Sequence, residues 1–174
     1  MKCNSAWGAL IAGIAIGGAA VASAKDTGNG PSSLTETYED WRVVCTQQNE
    51  TRQCAFSQQQ RQQNGRTVLA IELVPAKNGT LSGTLLLPFG LALDKGVALA
   101  LDDAPPAAAL PFKTCLPSGC IAPLTLSAAT AKSYRTGTAI KLTMAASDTG
   151  KPVTLSISLK GFGPALDRTI ALSK

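Results

Sequence analysis

Residues 138–160, TAIKLTMAASDTGKPVTLSISLK, decide how the rest of this chain is read. From Thr138 to Ala145, Ile140, Leu142 and Met144 alternate with Lys141 and Thr143. After Ser147-Asp148-Thr149-Gly150, Val153, Leu155, Ile157 and Leu159 alternate with Thr154, Ser156, Ser158 and Lys160. A period of two places all the aliphatic side chains of a strand on one face. The polar tetrapeptide between them is turn chemistry, so the stretch reads as two antiparallel strands with one buried face.

The same rhythm extends outward in both directions. Toward the N-terminus, Tyr38 to Thr46 places Trp41, Val43 and Cys45 on one face, and Thr51 to Ser57 does the same for Cys54 and Phe56. Gln58 to Arg66, QQQRQQNGR, is polar and ends in Asn64-Gly65, and it is expected to be a solvated hairpin tip rather than a recognition loop. Arg66 to Val74, Thr80 to Leu87 and Val97 to Leu101 continue the alternation, and Asp102-Asp103-Ala104-Pro105-Pro106 ends it. Ser127 can cap a short Ala-rich helix up to Gly137, and Gly161-Phe162-Gly163-Pro164 should break the last strand before a helical turn at Ala165 to Ala171. About nine short strands separated by turns predict a mainly β chain. The expected fold is a single antiparallel β-sandwich or barrel-like domain over 38–174, with one or two short helices.

The first 24 residues read differently. Lys2 precedes an uncharged stretch containing Leu10, Ile11, Ile14 and Ile16, and Ala22-Ser23-Ala24 is an A-x-A pattern before Lys25. That is the layout of a secretory signal peptide, with cleavage expected between Ala24 and Lys25. Residues 25–37, rich in Gly, Asn, Pro, Ser and Thr, are expected to be a flexible lead-in. No later stretch is apolar for long enough to cross a membrane.

Export gives the cysteines a context. Cys3 leaves with the leader, and Cys45, Cys54, Cys115 and Cys120 remain. Four cysteines allow three pairings, and the short spacings favour two local disulfides, Cys45–Cys54 and Cys115–Cys120. The rival is a metal held by all four thiolates, but the C-x8-C and C-x4-C spacings fit a zinc ribbon poorly.

Composition removes several chemistries. The 174-residue chain contains no histidine, so Ser-His-Asp and Cys-His catalysis and His-ligated zinc are excluded. Without Lys2, 15 basic and 11 acidic residues remain, a net charge of +4 with no Lys/Arg run. That distribution does not suit a nucleic-acid interface, though it suits weak attraction to anionic lipid, glycan or cell surface. Asp102 and Asp103 are consecutive and point to opposite faces of a strand, which does not build a glycosidase pair. Trp41 and Phe162 are expected in the core, and Glu39-Asp40 in solvent. Asn49-Glu50-Thr51 and Asn78-Gly79-Thr80 match a short glycosylation sequon.

Several landmarks occur in a recognisable order: Asp40-Trp41-Arg42-Val43-Val44-Cys45, Cys54, Leu87-Pro88-Phe89-Gly90-Leu91, Lys95-Gly96-Val97, Phe112-Lys113-Thr114-Cys115, Gly119-Cys120 and Ser158-Leu159-Lys160-Gly161-Phe162. In this order the chain resembles the invasion-associated locus B family of bacterial exported proteins, from about Tyr38 to Ile170. The resemblance implies a small β-rich envelope protein, in a family whose founding role is entry of a pathogen into host red cells. It brings no catalytic residue, and the matched Trp41, Cys45, Cys54, Cys115, Gly119, Cys120 and Phe162 are expected to be structural.

The leading expectation is therefore a non-enzymatic envelope protein that contacts another protein or a component of the envelope or host surface. It needs no metal or cofactor, and resides in the periplasm, at the outer membrane or outside the cell. The alternative is a periplasmic structural or accessory protein supporting envelope integrity. An enzyme of carboxylate or thiol type would instead need a deep pocket around a group such as Glu72 or Asp94.

Overall fold

The computed structural model describes residues 33–48 and 51–173. The expected leader, its Ala24/Lys25 cleavage site and residues 25–32 of the lead-in lie outside the described residues. Among the described residues, ten strands form two antiparallel sheets. The larger contains β1 (Ser33–Tyr38), β2 (Trp41–Gln48), β3 (Thr51–Arg61), β4 (Thr67–Pro75), β5 (Leu81–Leu87), β7 (Thr114–Leu116) and β8 (Gly119–Leu126), in the order β1-β2-β3-β4-β5-β8-β7. The smaller contains β6 (Ala98–Leu101), β9 (Ala139–Ala145) and β10 (Pro152–Ser158), in the order β10-β9-β6. The chain thus leaves the large sheet after β5, contributes one strand to the small sheet, and returns with the β7–β8 hairpin.

Alternation along the strands builds one core. Trp41, Val43 and Cys45 of β2, Leu69, Ile71 and Leu73 of β4, and Ile140, Leu142 and Met144 of β9 are all buried. At its centre, the rings of Trp41, Phe56 and Phe162 pack mutually with centroids 5.2–5.5 Å apart, and Tyr134 stands 5.9 Å from Phe162. Tilted and edge-on geometries of this kind are the favoured arrangements of aromatic rings.

Both helices form, with bounds that correct the expectation in one place. Helix α1 (Ala128–Tyr134) is capped by Ser127, whose Oγ accepts the Thr130 N–H at 3.1 Å. Helix α2 spans Phe162–Leu172, so it starts three residues before the expected Ala165 and takes in the Gly163-Pro164 pair expected only to end the strand before it. Pro164 falls in the first turn, where its missing N–H would have had no intrahelical partner. Gly161 enters this helix at φ +82°, and a Cβ there would collide with the Tyr38 carbonyl oxygen. Phe162, Ala165, Leu166 and Thr169 of α2 are buried, and the helix packs against β1–β4.

Two further expectations are corrected. Ser33–Thr37 are part of edge strand β1, so the ordered β structure begins at Ser33 rather than Tyr38. Leu34 and Tyr38 pack on the core, and Glu36 bonds to α2: Arg168 Nε and Nη2 donate to its two oxygens, each at 2.7 Å, and the Tyr38 hydroxyl donates at 2.8 Å. A strand of mostly polar residues is held by a helix 132 residues away, which local composition cannot reveal.

The glutamine run is the second. Strand β3 continues through Gln58, Gln59 and Gln60, and the tip begins only after Arg61. Gln58 is buried and faces the small sheet, where its Nε2 donates to Ser158 O at 2.9 Å and its Oε1 accepts the Ser158 N–H at 3.1 Å. Trp41 Nε1 donates to the same carbonyl at 2.9 Å, and Gln60 Nε2 donates to Ser156 O. Gln59 points the other way, toward Thr67 and Arg61. At Ser156 and Ser158 the outer edge of β10 is therefore paired by side chains of the large sheet.

Two outcomes test this framework. Gln58→Leu should lower the unfolding free energy by about 2 kcal/mol, because it leaves the Ser158 peptide groups short of partners, whereas Gln59→Ala should change it by less than about 0.5 kcal/mol. Equal losses in denaturant titrations would refute the assigned role of Gln58. The Glu36 carboxyl is held down to about 2 by the hydrogen bonds from Arg168 and Tyr38. Its contribution is complete above the ordinary carboxylate value of 4.5 and is lost as pH falls from there through about 2. Glu36→Gln should flatten that part of the acid stability curve relative to wild type, and superimposable curves would exclude the linkage.

Candidate functional site

One end of the large sheet gathers three turns that are distant in sequence. The β3–β4 tip is a tight turn: Gly65 N–H donates to Gln62 O at 2.9 Å, Gln62 N–H to Arg66 O at 2.9 Å, and Arg66 N–H to Asn64 Oδ1 at 3.0 Å. Beside it, β5 ends at Leu87 and the chain turns through Pro88-Phe89-Gly90, with Gly90 at φ +86°. The third is Leu116-Pro117-Ser118-Gly119, the turn between β7 and β8. Gln62, Arg66, Thr67, Val68, Pro88, Phe89, Pro117 and Ser118 line a cleft of about 350 Å³ between them. Phe89 is 51 % exposed and Leu116 45 % exposed.

This end is built to hold its shape. Cys115 and Cys120 face each other across the β7–β8 pair and are joined by a disulfide. Gly119 has φ +144°, and a Cβ there would come within 2.5 Å of Leu87 O, so the turn seats closely on the end of β5. Cys120 is buried while Cys115 is exposed, which puts the bond at the boundary between core and rim. The other expected bridge, Cys45–Cys54, joins directly opposed residues of β2 and β3 and lies in the core.

The remaining residues singled out from sequence are dispersed. Glu72 is exposed on the outer face of the large sheet, in a row with Ser57 and Arg42 over a broad depression of about 640 Å³. Asp94 is exposed in a 3-10 turn, 3.4 Å from Lys95. Asp102 sits at φ +51° and accepts the backbone N–H groups of Thr138 and Ala139, while Asp103 pairs with Lys141. The adjacent acids thus end a strand and point to different partners, as expected. Lys141 lowers the Asp103 carboxyl through a hydrogen bond. Asn78 Oδ1 accepts from the Thr80 N–H and hydroxyl, closing its turn; Asn49-Glu50 is outside the described residues. Trp41 and Phe162 are buried as expected. Among the described residues, no group of three or more Cys, Asp or Glu could hold a metal, and no helix is long and apolar enough to cross a membrane.

Phe89 and Pro117 do not stand out in the sequence as site residues. Their only local signal is that both occupy Pro-containing turns. Nothing in the sequence brings residues 66, 89 and 117 together, because strand order does that.

Fold and site together define a small mainly β protein, stapled by two local disulfides, with an exposed apolar end. Its relatives make the class specific. Residues 41–169 match the model of the invasion associated locus B (IalB) protein family. An invasion protein B homologue of Brucella abortus is 46% identical over 146 residues, covering 83% of this chain and 84% of that protein. Invasion protein B of Bartonella bacilliformis is 35% identical over 148 residues, covering 84% and 80%. The crystal structure of invasion associated protein B from Bartonella henselae superposes with a TM-score of 0.75 at 35% identity, over 80% of this chain and 96% of that one. The chain belongs to the invasion associated locus B family.

Removing the two staples should have unequal consequences. Chain-entropy arithmetic assigns about 2 kcal/mol to the Cys115–Cys120 loop and about 3 kcal/mol to Cys45–Cys54. Replacing Cys45 and Cys54 by Ser also leaves hydroxyls in the core, so that double variant should lose more than the chain-entropy figure alone. Thermal and urea unfolding of the two double-Ser variants would reverse the assignment if the rim pair proved the costlier.

Proposed function

We propose that this chain is exported and works in the cell envelope as a non-enzymatic binding protein, contacting a host or envelope surface through the Phe89–Pro117 end. The observation that carries the proposal is the half-exposed Phe89. It stands on a turn whose Gly90 carbonyl accepts the Ser147 N–H, in a cleft shared with Pro88 and with Pro117 of the neighbouring disulfide-closed hairpin. A large apolar side chain held rigidly in solvent loses little conformational freedom on binding, which is how contact surfaces gain affinity. Export is supported by the leader-like first 24 residues and by disulfides, which persist in oxidising compartments. Host-cell contact is supported by the invasion protein names of its relatives. A binding role also accords with the absence of histidine and the dispersal of Glu72, Asp94, Asp102 and Asp103.

Flow cytometry with the chain recovered from the exported fraction and labelled at its amines tests this on red cells. Wild type should bind, and Phe89→Ser should bind at least about fivefold less while keeping its melting temperature, since the side chain lies outside the core. Absent binding by wild type, or equal binding by the variant, would reject this end as the contact surface. Increased detergent sensitivity of a deletion strain alongside that negative result would point to an accessory role in the periplasm.

A further inference from the structure

The charges around Phe89 specify its partner more closely than the exposed ring does. Residues 61–68, 86–91 and 114–120 supply this end of the sheet, and they contain two cations, Arg61 and Arg66, but no carboxylate; Lys113, just before β7, adds a third cation further along the sheet. Arg66 lines the cleft beside Phe89, and Arg61 faces Thr67 across the same hairpin. Lys113 stands on the segment entering β7, where its N–H donates to Ile121 O at 2.8 Å. All three side chains are exposed. On the flank, the Ser147 N–H donates to Gly90 O, which brings alongside a turn holding one charge of each sign, Asp148 and Lys151. The broad outer face over β2–β4 is different, since Arg42 and Arg61 there share the surface with Glu39, Asp40 and Glu72.

We propose that this end rests on an anionic lipid surface. Phe89 and Leu116 enter the boundary between headgroups and acyl chains, while Arg61, Arg66 and Lys113 face the lipid phosphates. The proposal rests on the contact role proposed above for the same end and names its partner. Exposed apolar side chains with cations on the same end are the combination that interfacial binding requires, because burial of the aromatic side chain and attraction to anionic headgroups add. Long cationic side chains also reach phosphates while their stems lie along the apolar surface. Three cations form a weak attractor, so binding should be reversible and sensitive to salt.

Co-sedimentation of the exported chain with phosphatidylcholine vesicles, with and without an equal share of phosphatidylglycerol, provides the test. Binding is expected to the anionic vesicles only, and to fall about fivefold or more between about 0.1 M and about 0.5 M NaCl. Phe89→Ser and the pair Arg61→Glu with Arg66→Glu should each reduce it by at least about fivefold. Lys77→Glu, at the opposite end of β4, should leave it within about twofold. Phe89→Trp supplies a reporter, since Trp41 is fully buried; its emission should shift to the blue on anionic vesicles and not on neutral ones. Binding to neutral vesicles alike, an equal loss with Lys77→Glu, or no vesicle binding would each overturn the lipid assignment. Cell binding that persists and still depends on Phe89, without vesicle binding, would indicate a protein receptor and leave the contact role standing. Loss of cell binding together with intact vesicle binding would remove the contact role and not the lipid site.

Discussion

The unpaired edge of β10 is the constraint on which the rest of the structure depends. A three-stranded sheet with an open edge leaves backbone N–H and C=O groups in search of partners, inside a protein or between proteins. Here the partners are side chains. A glutamine amide carries a donor and an acceptor in one plane, as a peptide group does, and Gln58 presents both to Ser158. Trp41 adds a donor to the same carbonyl and Gln60 one to the next outward-facing carbonyl. The small sheet is joined to the large one by a substitute for a strand.

That junction positions the C-terminal segment. Just beyond Ser158, the Leu159 N–H donates to Thr138 O, Gly161 passes against the Tyr38 carbonyl, and Phe162 packs against both Trp41 and Phe56. Helix α2 thereby lies across β1–β4, close enough for Arg168 to hold Glu36 of the edge strand. The aromatic cluster and the buried amide form one unit, since the same Trp41 contributes its ring to the first and its N–H to the second.

The exposed end is an outcome of how the large sheet is completed. Because β6 departs to the small sheet, the β7–β8 hairpin must return beside β5, and it brings its turn next to Pro88-Phe89. Strand β7 has only three residues, too few to secure a hairpin by backbone pairing alone, and the Cys115–Cys120 bond secures it instead. The two disulfides thus act in different places: one braces the core between β2 and β3, while the other fixes a rim that carries exposed apolar side chains.

The sequence by itself determined most of the strands and their buried faces, the local cysteine pairs and the Ser127 helix cap. All of these rest on interactions between residues close in the chain, which periodicity and turn chemistry report directly. It also carried the family landmarks, among which Trp41, Val43, Cys45, Cys54, Leu87, Val97, Cys120 and Phe162 are core residues. Tertiary structure alone decided that Gln58 is buried while Gln59 is not a core residue, that Ser33–Thr37 form a strand, and that Arg66, Phe89 and Pro117 share a cleft. Alternation states which side of a strand faces inward but not which strand lies beside it. Gln58 and Ser158 are 100 residues apart, and Glu36 and Arg168 are 132 apart. Those contacts exist only once strand order is set, and strand order is chosen by how the whole core packs.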